Sequence, residues 1–145
     1  MTEPAGAPPD LDDLVEAARA ARQAAYAPYS DYAVGAALRT EGGRLFQGCN
    51  VENAMYGAAV CAERVAILTA VAAGARRIAA LAVVTEGGGT PCGFCRQVMA
   101  EFATPDLPVA IAGPEGPYRV RTLGQLLPEA FTAAALEAAR GPEPS

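Results

Sequence analysis

At 145 residues the chain is long enough for one compact domain with its own core and too short for two ordinary ones, so one active site per chain is expected. All eleven basic residues are arginine and histidine is absent, which excludes Schiff bases, phosphate-loop lysines, Ser/His or Cys/His nucleophile pairs and imidazole metal ligands. The net charge of -5, with no arginine cluster interleaved with aromatics, argues against nucleic acid as a partner.

Residues 1–9 and 141–145 are rich in Pro, Gly and Ala and are expected to fray around a single domain. Asp10 is placed to cap a helix in which Leu11, Leu14, Val15 and Ala18 recur at helical spacing, ending before Pro28. Tyr32 to Thr40 reads as a strand, Glu41-Gly42-Gly43 as a turn, and Leu45 to Asn50 as the returning strand of a hairpin. Cys61 to Ala73 has a helical pattern stopped by Gly74, and Ile78 to Thr85 is an apolar run of strand length, which completes a βαβ unit. Beyond Gly87-Gly88-Gly89, a plain loop with no phosphate-binding lysine, a second helix runs from about Gly93 to Phe102 and a strand from Pro108 to Ala112. Only Gly113-Pro114-Glu115-Gly116 and Pro117 separate that strand from Tyr118 to Thr122, too little for a crossover helix, so the last pair should be antiparallel. Phe131 to Arg140 closes the chain as a helix. The expected architecture is α/β, three layers, with a five-stranded mixed sheet between helices.

No apolar stretch is long enough for a membrane span: the run from Val65 to Ala75 is bracketed by Arg64 and Arg76 and reads as a buried helix. With no signal segment, a cytoplasmic location is expected, where four cysteines serve as ligands, catalytic groups or core residues rather than disulfides. The abundant alanine suits close helix packing between subunits, so an oligomer is expected.

Two segments place thiols in the same local setting. Cys61-Ala62-Glu63 opens one helix, and Pro91-Cys92-Gly93-Phe94-Cys95 opens the next. At a helix N-terminus, free N–H groups and the positive dipole end favour the thiolate that a metal needs. Cys92 and Cys95, three apart in a first turn, face the same side, and Cys61 joins them if the two helices lie together on one face of the sheet. Three thiolates without histidine select zinc, one ion per chain, and leave a tetrahedral ion one position open for water. Glu63, two residues from a ligand, is then the proton carrier. The competing reading is a closed structural site in which Cys49 supplies a fourth thiolate to Cys61, Cys92 and Cys95; Cys49 otherwise reads as a small core residue.

Asn50-Val51-Glu52-Asn53-Ala54, Cys61-Ala62-Glu63-Arg64 and Pro91-Cys92-Gly93-Phe94-Cys95-Arg96-Gln97 resemble the signature of the small homotetrameric cytidine deaminases, and the similarity runs from Pro28-Tyr29-Ser30 to Leu126-Leu127-Pro128. Zinc deaminases with three-cysteine ligation and a non-ligating glutamate are a known chemical class. The resemblance implies the family's three-layer fold and hydrolysis of cytidine and 2′-deoxycytidine to uridine and 2′-deoxyuridine plus ammonia, in pyrimidine salvage. It implies that Cys61, Cys92 and Cys95 hold zinc. Glu63 moves a proton from water to the ring nitrogen and then to departing ammonia. Asn50 and Glu52 bind the ribose 3′-hydroxyl, Arg64 donates to the ligand sulfurs, and the backbone near Ala54 and Cys92 holds the base. Tyr56 and Phe131 border a neighbouring subunit's pocket in the homotetramer. Tyr32 stands where the family usually stacks a phenylalanine on the base, which keeps the stacking and adds a hydroxyl in need of a partner.

Two enzyme rivals and one rival from another class remain. A deaminase for a cytosine-containing antibiotic nucleoside would share the Cys/Glu/CxxC core. A polynucleotide editor fits poorly with a carboxylate at Glu52 and no basic channel. A zinc-stapled binding module would hold metal without turnover.

Overall fold

The structure, a computed structural model, describes residues 9–141, so the termini expected to fray lie almost wholly outside the described residues. Alternation along the central strands decides which layer each side chain joins. Strands β1 (Gly35–Thr40), β2 (Leu45–Cys49), β3 (Ile78–Val84), β4 (Pro108–Ala112) and β5 (Tyr118–Thr122) form one mixed sheet in the order β2-β1-β3-β4-β5. Only β3 and β4 run parallel; the other three pairings are antiparallel. Ala36, Leu38, Leu81, Val83, Val109 and Ile111 pack on one face with helices α2 (Ala62–Ala72) and α3 (Gly93–Phe102). The intervening Ala37, Ala82, Val84, Ala110 and Ala112 pack on the other face against Leu11, Leu14, Val15 and Ala18, the last three on α1 (Asp12–Arg22). A sheet buried on both faces explains why β3 and β4 read as unbroken apolar runs in the sequence. Alanines dominate the α1 side because that helix lies close: a Cβ on Gly35 would strike the Ala18 carbonyl oxygen.

Strands β2 to β5, the antiparallel last pair and α3 fall within a residue of where the sequence reading puts them, while β1 starts three residues late. The strands either side of α2 are parallel to each other but not neighbours, because β1, the hairpin partner of β2, occupies the place between β2 and β3. Leu11, not Asp10, takes the cap position of α1, and the Asp10 carboxylate accepts the Asp12 N–H at 3.0 Å from just outside the helix. Tyr32 to Val34 precede β1 and take no part in it. Their backbone groups bond instead to the Asn50 side chain, whose Oδ1 accepts the Val34 N–H at 2.9 Å and whose Nδ2 donates to the Tyr32 carbonyl at 2.8 Å. A short helix, α4 (Leu123–Leu126), follows β5 directly and is held by a Thr122/Gln125 capping box. Phe131 lies just before the last helix, α5 (Ala133–Arg140), whose cap is Thr132.

Candidate active site

Both thiol-bearing turns are set by contacts from their own sequence neighbourhoods. Cys61 and Cys92 are the extended cap residues of α2 and α3, on the same face of the sheet, so both helix N-termini meet there. Gly48 on β2 allows the first turns of α2 to touch the strand: a Cβ there would lie 2.5 Å from both the Ala62 carbonyl oxygen and the Ala66 nitrogen. Arg96 ties down the turn before α3, with Nε donating to the Pro91 carbonyl at 2.7 Å, Nη2 to the Thr90 hydroxyl at 2.9 Å, and Nη1 to the Leu126 carbonyl. The Thr85 hydroxyl accepts the Gly89 N–H at 2.6 Å and closes the glycine loop behind it.

The three sulfurs converge. Cys61 Sγ lies 3.7 Å from Cys92 Sγ, which lies 3.4 Å from Cys95 Sγ, and all three are within 4.8 Å of one another. Zinc–sulfur bonds of ~2.3 Å in tetrahedral arrangement put sulfurs about 3.8 Å apart, so the spacing fits that ion. The protonation pattern fits as well. The Cys95 thiol, ahead of Arg64 and Cys92, holds the Cys61 thiol down to about 5, while the bond to Cys61, followed by burial, pushes Cys95 up. Three sulfurs competing for protons at one point form a donor set that a cation satisfies. Cys49 belongs to no such group among the described residues, which removes the fourth thiolate on which the closed structural reading depends.

Arg64 donates from Nη2 to Cys61 Sγ at 3.6 Å and places its guanidinium 5.5 Å from the Phe94 ring centroid. One positive charge beside three thiolates offsets their excess over a dication. Glu63 is 3% exposed, and burial pushes its carboxyl above the ordinary carboxylate range, with the charge on Cys61 acting in the same direction. A buried carboxyl raised in this way, next to the thiols, is suited to accept and return protons.

A cavity of about 630 Å³ opens onto these groups and is lined also by Tyr32, Asn50, Glu52, Tyr56, Ser30, Thr85 and Thr90. It has room for a nucleoside-sized molecule. Asn50 and Glu52 are not idle in it. Asn50 braces residues 32–34 as described, and the Glu52 carboxylate accepts the N–H groups of Tyr29 at 2.9 Å and Ser30 at 3.1 Å as well as the Ser30 hydroxyl. Those bonds, the Ser30 hydroxyl first, hold the Glu52 carboxyl below its ordinary value. Ala54 and Phe131 do not line this cavity; Phe131 is exposed, its carbonyl accepting from Gln97 Nε2 at 2.7 Å. The sequence assigns no role to Thr85 or Thr90, and marks Ser30 only as part of the Pro28-Tyr29-Ser30 start of the resemblance; lone hydroxyls in loops carry no spacing signal.

An α/β sheet that brings three thiols and a buried carboxyl to the mouth of a polar cleft defines a class, the metal-assisted hydrolases. The family model described as the cytidine and deoxycytidylate deaminase zinc-binding region matches residues 9–111. The cytidine deaminase of Sporosarcina psychrophila is 46% identical over 125 residues, covering 85% of this chain and 92% of its own. Among solved structures, the cytidine deaminase of Burkholderia pseudomallei is similar with a TM-score of 0.80 and 54% identity, over 85% of this chain and all of that one. That of Mycobacterium tuberculosis gives 0.75 and 42%, over 85% and 98%. The chain belongs to the cytidine deaminase family of zinc-dependent hydrolases, and Cys61, Cys92 and Cys95 form the group able to hold the ion.

Proposed function

We propose that the protein hydrolyses the amino group of cytidine and 2′-deoxycytidine, giving uridine or 2′-deoxyuridine and ammonia, as a cytoplasmic enzyme of pyrimidine salvage. The observation that carries this reading is the convergence of Cys61, Cys92 and Cys95 beside buried Glu63 in one cavity with Asn50 and Glu52. When bound to the three sulfurs, zinc supplies Lewis-acid chemistry, lowering the pKa of water so that a nucleophile exists near neutral pH. Glu63 accepts one proton of the attacking water and delivers it to the ring nitrogen beside the reacting carbon, then takes the second from the added hydroxyl and gives it to the amino group, which leaves as ammonia as the carbon–nitrogen bond breaks and the carbonyl forms. Tyr32 stacks on the base, and the backbone at Cys92, which lines the cavity as Ala54 does not, holds its edge. Asn50 and Glu52 bind the sugar hydroxyl, and Arg64 keeps the sulfurs from crowding negative charge.

The whole chain acts as one deaminase domain and assembles as a homotetramer, in which Tyr56 and Phe131 border a neighbour's cavity. Supporting this, Met55, Tyr56, Phe94 and Phe131 are all large and strongly exposed on the single chain. Among the described residues no helix is long and apolar enough to cross a membrane. The test is an ultraviolet assay of cytidine with the zinc-loaded protein, with ammonia measured in parallel and light scattering on the same sample. Conversion to uridine with one ammonia per turnover, by a tetramer, is expected; a zinc-replete protein that leaves cytidine unchanged would refute the reading.

A further inference from the structure

Glu52 reaches its place with most of its acceptor capacity already in use. Its Oε1 accepts two backbone N–H groups, those of Tyr29 and Ser30, and its Oε2 accepts the Ser30 hydroxyl. The same Ser30 Oγ accepts the Tyr32 N–H at 3.1 Å. A hydroxyl has a single proton, and since Tyr32 approaches as a donor, that proton is committed to Glu52. Among the described residues Ser30 is therefore the one side chain bonded both to Glu52 and to the backbone of Tyr32, and all three residues line the cavity.

Ser30 pins a turn in the chain. Asp31, between the two bonded residues, has φ +57, in the left-handed region that aspartate tolerates better than most residues with a Cβ. Backbone pairing fixes only the base of the loop, where Tyr26 N–H donates to the Asn50 carbonyl at 2.9 Å and Glu52 N–H to the Tyr26 carbonyl at 2.8 Å. Beyond it, the Asp31 N–H donates to the Ala27 carbonyl at 3.0 Å, Asn50 and Arg22 hold the backbone of residues 32–34, and the Ser30–Glu52 contacts tie residues 29 and 30 to the cavity wall. A carboxylate offers about four acceptor positions, and with three occupied the fourth lies on Oε2, the oxygen that the Ser30 hydroxyl holds.

We infer that Ser30 is a positioning residue: its hydroxyl sets the Glu52 carboxylate so that the remaining acceptor position receives a sugar hydroxyl of the substrate. The inference rests on the function proposed above and deepens it, because it assigns discrimination for a sugar hydroxyl to a Ser30–Glu52 pair instead of to Glu52 alone. Ser30 bonds to Glu52 and Tyr32 and to none of the thiols, so its removal should act on binding and leave the chemical step.

The experiment compares wild type, Ser30→Ala, Ser30→Thr and Glu52→Gln, each checked for zinc content, on cytidine and on 3′-deoxycytidine. Losing a hydrogen bond to a charged group, Ser30→Ala should raise KM for cytidine about tenfold with kcat within about twofold. Its KM for 3′-deoxycytidine should change by less than about threefold, and Ser30→Thr, which keeps the hydroxyl, should restore the cytidine value. Equal KM increases on both substrates would overturn the proposal, since they would mean that Ser30 only shapes the loop. A normal cytidine KM in Ser30→Ala, beside a Glu52→Gln that loses cytidine selectively, would sink Ser30 alone and leave the sugar role of Glu52 standing. Zinc-loaded wild type inert toward cytidine would sink the deaminase reading, and this proposal with it.

Discussion

Replacing Glu63 by glutamine should separate activity from stability in opposite directions. The glutamine keeps the size and the hydrogen-bonding reach but cannot accept a proton from water. General acid–base groups commonly contribute on the order of 10² to 10⁴ in rate, and a group serving successive transfers belongs at or above the upper end, so kcat should fall by about 10⁴. The stability change follows from burial. Glu63 is 3% exposed, and desolvation is the largest cause of its raised pKa. A carboxyl whose pKa is raised on folding penalises the folded state once pH exceeds its unfolded value, and the penalty is complete above the folded one. A neutral side chain of the same shape removes that penalty, so Glu63→Gln should melt higher than wild type at neutral pH and no higher in acid below the unfolded value. Each ~1 kcal/mol of relief corresponds to roughly 2–4 °C for a chain of this size. Zinc content, turnover of cytidine and melting curves at both pH values, on one preparation, make the assay. A zinc-replete Glu63→Gln with near wild-type turnover would refute the proton-carrier role, and one that is inactive because it melts far lower would refute the burial argument.

Arg64→Gln removes the donor on Cys61 Sγ and should weaken zinc retention about 10–100-fold in a chelator competition while leaving the fold intact. Gly48→Ala forces a methyl group into the backbone of α2 2.5 Å away; it should cost about 1–3 kcal/mol in denaturant unfolding and lower kcat by displacing Cys61 and Glu63. The Glu52 carboxyl, held below its ordinary value chiefly by the Ser30 hydroxyl, contributes above its unfolded pKa and loses that contribution only as pH falls through the lower folded value. Cytidine KM should therefore stay flat through mildly acid pH, and in Ser30→Ala its rise should begin at higher pH; identical profiles would contradict that cause.

Most of the architecture was legible because its signals are local and periodic. Apolar runs of strand length gave β3 and β4, and the glycine turn gave the hairpin. Five residues between Ala112 and Tyr118 cannot hold a crossover, which gave the last antiparallel pair. The thiols were legible for the same reason, two helix starts each opening with cysteine. What escaped depends on side chains replacing backbone. Tyr32 to Val34 have strand-like composition, yet Asn50 takes up their hydrogen bonds, and β1 begins at Gly35. The place of β1 between β2 and β3 was likewise hidden, since the order of strands in a sheet is set by packing across it and not by spacing along the chain. Ser30 illustrates the limit in the site itself. Its importance lies in bonding two residues that the sequence separates, Glu52 and Tyr32, and the Pro28-Tyr29-Ser30 pattern that includes it says nothing of that partner.

The central claim is an open three-thiolate zinc site that performs hydrolysis, and it is tested most directly by zinc content and cytidine turnover on the same samples of wild type, Cys92→Ala and Cys49→Ser. The expected result is about one zinc per chain with turnover in wild type and Cys49→Ser, and loss of both in Cys92→Ala. Loss of zinc from Cys49→Ser, or undiminished turnover in a zinc-free Cys92→Ala, would contradict it.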